Sequence, residues 1–418
     1  MAKHTIDELR QWQALPLSIK IRMSMERIRM WVREYGEDGV YVSFSGGKDS
    51  TVLSHLVDHT FPGNEIPRVF VNTGLEYPEI VQFVKQEPRV VMLRPKMNFR
   101  QVIEKYGYPF ISKEVSEAVE GARRYLHELT HRQTDRQTDR VTFLTDSSTI
   151  RFADSESMRN PSMGGQTTGI ESAEELANIL DTKMRNREGG NNLRLARTLG
   201  WLTKDNRVKA NIPNERDRST YACTRYSFFL QDDAPIISNK CCGVMKKAPT
   251  AAYYRKTKRH QMTGEMASES RLRLQKWLQH GCNAFDTKKP KSTPLAFWTE
   301  QDVLQYIKEN NIQIASVYGE IVYDEKKSDQ LEGQLEFGLN GIEESQCVLK
   351  TTGCKRTGCM FCGFGCTQEP EGEGRFERMK ETHPKQYEWI MRDWDKGGLG
   401  YKKVIDWINE HGSLNIRY

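Results

Sequence analysis

The residues best suited to chemistry form one short segment, Ser45 to Thr51, which reads Ser-Gly-Gly-Lys-Asp-Ser-Thr. It follows the β-like apolar run 40–42 and precedes the helical apolar run 52–57. Glycines let a backbone approach an anion closely, and the free N–H groups of a first helical turn then point at it. The lysine adds a positive charge and the hydroxyl groups add donors, so we predict a phosphate-binding loop. We expect Asp49 either to cap the helix or to hold Mg²⁺.

Cysteines form a second constellation, whose spacing is typical of metal ligands. The chain has nine, and six of them fall into an adjacent pair and a later C-x4-C-x2-C-x3-C run: Cys241, Cys242, Cys354, Cys359, Cys362 and Cys366. Four thiolates satisfy either tetrahedral zinc or a four-iron cluster, and spacing alone does not choose between them. An odd count without a secretory signal pattern favours thiolates in a reducing cytoplasm over disulfides.

Positive charge is concentrated in one stretch. The net charge is only +6, but thirteen basic residues face three acidic ones in 240–291. This excess suits a phosphorylated or sulfated ligand or a nucleic-acid backbone, and a solvated basic face is the alternative. A nucleic-acid or protein partner could bind here or at the Thr-, Asn-, Asp- and Arg-rich segment 126–222, which repeats Gln-Thr-Asp-Arg at 133–136 and 137–140.

Short apolar strands alternate with helices around the loop. The pattern predicts strands and helices in turn at 40–44, 48–59, 68–72, 78–86, 89–93 and 98–106. Such alternation indicates an α/β fold, a parallel twisted sheet with helices on both faces. Ligands of such sheets lie at the carboxyl ends of the strands, where this loop begins.

The rest of the chain is divided by composition. We predict an N-terminal helical segment (1–39) with amphipathic helix over 5–35, a nucleotide-binding α/β domain (40–125 and 223–330), an insertion (126–222) and a cysteine-rich, helical C-terminal region (331–418). We also expect a strand at 260–264, a helix capped by Thr299, and two helices in 376–411 broken at Gly397-Gly398. No run of about 18 apolar residues occurs, so no membrane span is expected.

The loop resembles the PP-loop, Ser-Gly-Gly-x-Asp-Ser, of ATP pyrophosphatases with the adenine nucleotide α-hydrolase-like fold. It is neither Gly-x4-Gly-Lys-Ser/Thr nor Gly-x-Gly-x-x-Gly. The resemblance implies that the loop holds the phosphates of ATP, with Mg²⁺, while the α-phosphorus is attacked and pyrophosphate leaves. The implied binding residues are Ser43, Ser45, Gly46, Gly47, Lys48, Asp49, Ser50 and Thr51.

Four further segments are similar to motifs of the phosphoadenosine phosphosulfate (PAPS) reductase superfamily: 72–79, 108–113, 241–247 and 263–273. They imply further nucleotide contacts at Asn72, Thr73, Gly74, Glu76, Lys246, Lys247, Gly264, Glu269 and Ser270. Together with the loop, these resemblances imply catalytic roles for Lys48, Asp49, Arg271 and Arg273.

The Cys-Cys pair followed by Cys-x-x-Cys resembles the iron–sulfur signature of adenylyl sulfate reductases. That resemblance implies a [4Fe-4S] cluster on Cys241, Cys242, Cys359 and Cys362, with zinc as the alternative metal. The alternative ligand set is local and replaces the upstream pair by Cys354 and Cys366.

Three departures from the superfamily bear on the reaction. The loop is intact, whereas sulfonucleotide reductases tend to carry degenerate versions. The chain lacks the C-terminal Glu-Cys-Gly-Leu/Ile-His segment of the reductases, and Met266 replaces a frequent Arg. We therefore favour an ATP-using enzyme that adenylates an acceptor in sulfur transfer.

Two alternatives remain open at this point. The first is an adenylyl sulfate or PAPS reductase that uses Cys282, Cys366 or an external thiol as nucleophile. The second is a non-enzymatic regulator or a subunit of a nucleic-acid modification complex.

Overall fold

The structure, a computed structural model, describes residues 3–134, 143–146, 149–152, 173–187, 190–324 and 348–418. The chain divides into two units: Met1–Asn98 with Val244–Met360, called unit 1, and Phe99–Gly243 with Phe361–Tyr418, called unit 2. Packing alone does not test which ranges function as domains, so the four sequence-based ranges stay predictions. The second copy of the Gln-Thr-Asp-Arg repeat lies outside the described residues.

The strands are short. In chain order they are β1 Val40–Ser43, β2 Arg68–Val71, β3 Val90–Leu93, β4 Phe110–Ile111, β5 Phe143–Asp146, β6 Thr149–Phe152, β7 His260–Met262, β8 Asn283–Ala284, β9 Lys291–Ser292, β10 Ile321–Tyr323, β11 Leu349–Thr351 and β12 Gly363–Phe364.

The helices follow the apolar periodicity of the sequence. They are α1 Ile6–Gln13, α2 Leu17–Tyr35, α3 Lys48–Thr60, α4 Pro78–Gln86, α5 Phe99–Tyr106, α6 Lys113–Thr134, α7 Ala173–Arg185, α8 Gly190–Thr198, α9 Lys240–Cys242, α10 Ala248–Thr257, α11 Arg271–His280, α12 Glu300–Glu309, α13 Arg375–Thr382, α14 Pro384–Met391 and α15 Tyr401–Gly412. No helix in the described ranges is long and apolar enough to cross a membrane.

Unit 1 is built around a six-stranded sheet of order β3-β2-β1-β7-β9-β8. Every neighbouring pair is parallel except β8 with β9, which is antiparallel. The register pairs Val42 with Arg68 on one side of β1 and with Met262 on the other. This mostly parallel, helix-flanked sheet confirms the predicted α/β class.

Buried side chains from the sheet and its helices form one core in unit 1. Trp31 of α2, Val42 of β1 and Leu53 of α3 are fully buried within it. At its edge the ammonium of Lys20 donates to both carboxylate oxygens of Asp302 at 2.8 Å. Because both groups are buried, they neutralise each other and fix α2 against α12.

Helix ends follow the expected local chemistry, with two corrections. Thr299 caps α12 in a capping box, as predicted. The N-terminal segment is two helices rather than one, because Pro16 precedes α2 and ends the regular pattern. The C-terminal region has three helices rather than two, since Pro384 starts α14 at a position where its missing N–H costs nothing.

Unit 2 has its own helical core. Helices α6, α7 and α8 contribute Tyr125, Leu180 and Leu195 to a buried cluster. Asp181 of α7 accepts from the guanidinium of Arg207 and from the backbone N–H of Val208, and these bonds hold the pKa of its carboxyl below the usual range. The predicted insertion is thus helical here, and it also contains the β5–β6 hairpin.

Candidate functional site

Three sequence motifs lie at one edge of the sheet in unit 1. The parallel strands β1, β2 and β7 end at Ser43, Val71 and Met262, and each is followed by a motif segment. Carboxyl ends of parallel strands meet at the same edge of a sheet. The phosphate loop 45–51, the segment 72–76 and the segment 263–273 therefore share an edge.

Hydrogen bonds within the loop fix its shape. The hydroxyl of Ser50 donates to the carbonyl of Gly47 at 2.8 Å and accepts from the backbone N–H of Ser45 at 3.1 Å. The Thr51 hydroxyl donates to the same Gly47 carbonyl at 3.1 Å. These two hydroxyls hold the loop closed, whereas the side chain of Ser45 is exposed.

Two glycines are required by close approaches. Gly46 has φ +71°, and a Cβ there would lie 2.7 Å from Val84 Cγ2 on α4. A Cβ on Gly264 would lie 2.6 Å from the carbonyl oxygen of Asp49. The Thr263-Gly264 segment therefore packs directly on the first turn of α3, which a larger residue would displace.

Lys48 is buried and has protein partners. Its ammonium donates to Glu300 Oε1 at 2.9 Å and to the carbonyl of Lys355 at 2.7 Å. Its backbone N–H donates to the Tyr318 hydroxyl at 3.3 Å, and that hydroxyl lies 2.6 Å from Thr357 Oγ1. Burial raises the pKa of Tyr318 to about 12, so the hydroxyl stays protonated. An anion in the loop must take the place of these partners.

Asp49 has the least satisfied side chain of the loop. The helix begins after Gly47 without a side-chain cap, so the expected capping role of Asp49 is wrong. Its Oδ1 is buried and has no hydrogen-bond partner. Burial raises the pKa of this carboxyl, and the nearby Lys48 and Arg356 oppose that effect. A buried, unpartnered carboxylate oxygen beside a phosphate loop fits the oxygen ligands that Mg²⁺ prefers.

The segment after β2 is tied to the basic stretch. Glu76 accepts from the Thr73 backbone N–H at 2.9 Å and from the Thr73 hydroxyl at 2.8 Å. The ammonium of Lys246 lies 3.8 Å from the same carboxylate. Asn72 accepts from the backbone N–H of Gly74 at 3.1 Å. The structure thus brings Lys246 to this turn, whereas the side chain of Lys247 is exposed.

The segment after β7 carries an ion-pair cluster. Glu269 accepts from the guanidinium of Arg273 and lies 3.7 Å from that of Arg356. Ser270 caps α11 by accepting from the backbone N–H of Arg273 at 3.3 Å. Arg271 is exposed in the first turn of α11. Glu269 therefore gathers two cations close enough to Asp49 to lower its pKa, and Arg271 is not among them.

None of the six candidate cysteines, all of which lie in the described ranges, takes part in a disulfide. Cys359 and Cys354 belong to unit 1, where Met360 donates to the carbonyl of Leu75 at 2.8 Å and so places Cys359 beside the turn after β2. In unit 2, burial raises the pKa of Cys362, and its neighbour Cys242 raises it further.

The thiol donors suit zinc or an iron–sulfur cluster by type. Across the ranges that the structure describes, however, no three His, Cys, Asp or Glu side chains are grouped to hold a metal ion. The two candidate ligand sets therefore stay predictions.

Four residues that contact the loop were not predicted: Glu300, Tyr318, Lys355 and Thr357. They lie at least 250 positions after the loop in the sequence. Glu300 looked like an ordinary acidic residue in a first helical turn, and Tyr318 belongs to no recognisable motif. Only the three-dimensional packing of unit 1 identifies them.

Comparison with known proteins agrees with this arrangement. A family profile, the phosphoadenosine phosphosulfate reductase domain, matches residues 39–133 and 196–364, more than half of the chain. The matched ranges contain the loop and the two other segments at the sheet edge. No curated protein matches the chain significantly.

Proposed function

Because the chain belongs to the phosphoadenosine phosphosulfate reductase domain family, we propose that it is a nucleotide-dependent enzyme of the ATP-pyrophosphatase type. In this proposal ATP binds at Ser45–Thr51, an acceptor oxygen attacks the α-phosphorus, and pyrophosphate leaves. The adenylated acceptor then receives sulfur, and AMP departs.

One observation carries the proposal: the loop is intact and contains the unpartnered, buried Oδ1 of Asp49. A buried carboxylate that lacks a partner costs free energy, roughly 1–3 kcal/mol or more for a charged group. MgATP would bring a cation to that oxygen and so offset this cost.

The loop residues would act on the leaving group. Backbone N–H groups at the start of α3 and the ammonium of Lys48 would stabilise charge that develops on pyrophosphate. Asp49 would hold Mg²⁺, which would supply Lewis-acid neutralisation of the phosphate oxygens. Arg273 and Arg356, gathered by Glu269, supply further positive charge near Asp49.

Lys48 must change partners for this role. Its present acceptors are Glu300 and the carbonyl of Lys355. A phosphate oxygen carries more charge than a peptide carbonyl and makes stronger charge-assisted bonds. Exchange of the Lys355 carbonyl for phosphate therefore favours the bound state.

A metal cofactor on the cysteines is a separate part of the proposal. We keep the [4Fe-4S] cluster on Cys241, Cys242, Cys359 and Cys362, with zinc as the alternative. Support comes from the thiol donors and from the electrostatic effect of Cys242 on Cys362. A nucleic-acid or protein partner and the cytoplasmic location stay predictions.

Sulfonucleotide reduction is the alternative, and the name of the family favours it. The two cysteines named for that role are unfavourable as nucleophiles. Cys282 is 5 % exposed, and burial raises the pKa of its thiol. Burial also raises the pKa of Cys366 to about 12. Thiolates are the reactive form, so an external thiol would be needed.

The position of bond cleavage tests the proposal. The protein is incubated anaerobically with α-labelled MgATP and a low-molecular-weight cell extract as the source of acceptor. We expect the wild type to form labelled AMP together with pyrophosphate. Lys48→Ala should form neither product, although its thermal stability should equal that of the wild type. Formation of ADP and phosphate, or equal turnover by the variant, would contradict adenylation.

A further inference from the structure

Much of the basic stretch in 240–291 surrounds one cavity of unit 1. The cavity has a volume of about 420 Å³ and lies between α11, the loop after β8 and strand β9. Five cations line it, against one acid: Arg273, Lys276, Lys288, Lys289 and Lys291 with Glu265. Of the residues predicted to bind or act on the nucleotide, Arg273 alone lines this cavity.

The lining charges are not balanced. Glu265 accepts from the ammonium of Lys291 at 2.5 Å and lies 3.9 Å from Arg273. No ion pair joins Lys276, Lys288 or Lys289 to an acid within the described ranges. Burial lowers the pKa of Lys291, and repulsion from Lys276 and Arg273 lowers it further. The cavity therefore carries an excess of positive charge, although Arg273 also pairs with Glu269, and a bound anion would offset this excess.

The inner wall is apolar. Met266, Ala267, Trp277 and Ala296 line the cavity and are each at most 3 % exposed. Cavities of 300–1,000 Å³ hold small organic ligands. A pocket of this size with an apolar inner wall suits a compact molecule, whereas a nucleic-acid backbone needs an extended basic surface.

We infer that this cavity is a second anion site, separate from the phosphate loop, which binds a small organic polyanion with an apolar body. Its phosphate, sulfate or carboxylate groups contact Lys276, Lys288, Lys289 and Lys291, and its body lies against Trp277. The site lies close to the loop in space, because Gly264 packs on Asp49 and the next residue, Glu265, lines the cavity.

Pyridoxal 5′-phosphate is a suitable probe, because it is a flat aromatic anion with an aldehyde. The neutral amine of a cavity lysine condenses with the aldehyde to an imine and releases water. Borohydride then reduces the imine to a stable secondary amine, and peptide mass spectrometry locates it. We expect saturable labelling at Lys291 or its lysine neighbours in the cavity, suppressed by citrate.

Matched charge changes test the site. The double variant Lys276→Glu with Lys288→Glu should raise the pyridoxal 5′-phosphate concentration that half-saturates labelling by about tenfold or more. Arg255→Glu with Lys256→Glu makes the same charge change on exposed residues of α10, outside the cavity lining, and should leave labelling within about twofold. Thermal unfolding of both variants checks the fold.

Two results would overturn the inference. The first is labelling that does not saturate and spreads over surface lysines, or a loss of labelling that is equal in both double variants. Either would show general charge attraction instead of a site. Protection of the cavity lysines by MgATP would show that the cavity belongs to the nucleotide site. MgATP binding is measured separately on unlabelled protein, so failure here leaves the adenylation proposal standing.

Discussion

The Tyr318 hydroxyl lies 3.3 Å from the backbone nitrogen of Lys48 and accepts its hydrogen bond. The same hydroxyl bonds Thr357, and the Lys48 ammonium donates to the carbonyl of Lys355. Tyr318 and the Lys355 carbonyl thus occupy the backbone N–H and the ammonium of Lys48, two donors that a phosphate would need. If the loop binds phosphate as proposed, nucleotide binding and this contact exclude each other at the Lys48 N–H.

Removal of that hydroxyl should strengthen nucleotide binding. Tyr318→Phe keeps the ring but frees the Lys48 N–H, and a hydrogen bond of this kind contributes roughly 0.5–1.5 kcal/mol. We expect the Kd for MgATP to fall by about two- to tenfold in calorimetric titration.

Tyr306→Phe is the matched control. It also removes a buried hydroxyl. This hydroxyl lies 2.9 Å from His55 Nδ1, and the pair is away from the loop. Its affinity for MgATP should equal that of the wild type. Weaker binding by Tyr318→Phe would mean that the hydroxyl serves the bound nucleotide instead of excluding it.

Asp49 should make stability depend on pH. Burial raises its pKa in the folded protein, so the folded state holds the proton more tightly than the unfolded chain does. The stabilisation is present below the unfolded pKa of about 4 and is lost as pH rises through the folded pKa. In EDTA, the Tm of Asp49→Asn minus that of the wild type should therefore increase from pH 4.5 to pH 8.

The same substitution should weaken MgATP binding, because the amide carries no charge for the cation. A Tm difference that is constant over the whole pH range would show that Asp49 is not a buried, ionising carboxyl. Unchanged magnesium dependence of ATP binding would remove its assigned role.

Gly264 should be needed for the shape of the loop. Gly264→Ala places a methyl group 2.6 Å from the Asp49 carbonyl oxygen, inside contact distance. The first turn of α3 must then shift, and we expect MgATP affinity to fall by about tenfold. Gly190→Ala, at a glycine with nothing within 4 Å of the added carbon, should change nothing. Equal affinity for both variants would refute this packing argument.

The metal proposal predicts a dependence on particular cysteines. Anaerobically purified protein should contain iron and acid-labile sulfide, and Cys359→Ser or Cys242→Ser should lose both. Cys223→Ser changes a buried thiol outside either ligand set and should keep them. Zinc without sulfide would select the alternative metal, and metal-free protein of native stability would end the proposal.

The sequence predicted those parts of the fold that depend on local pattern. Short apolar strands, the loop after β1 and the Thr299 cap all follow from neighbouring residues, and each is present. The two missed helix breaks, before α2 and α14, occur at Pro16 and Pro384, where the apolar pattern continued and hid the proline signal.

The partners of the loop could not be predicted, because they depend on distant packing. The contacts of Lys48 with Glu300 and Lys355 join residues 252 and 307 positions apart. Likewise the charge count showed a basic stretch, but not that Lys276 and Lys291 converge on one cavity. The sequence shows which residue types occur and how they are spaced. Only the folded chain shows which of them converge on one site.

Nucleotide selectivity tests the central claim most directly. Calorimetric titration of the anaerobic protein compares MgATP, adenylyl sulfate and PAPS, with Lys48→Ala as the loop variant. Adenylation chemistry predicts preferential binding of MgATP that Lys48→Ala abolishes. Preferential binding of a sulfonucleotide, unaffected by Lys48→Ala, would contradict the account and point to reduction by an external thiol.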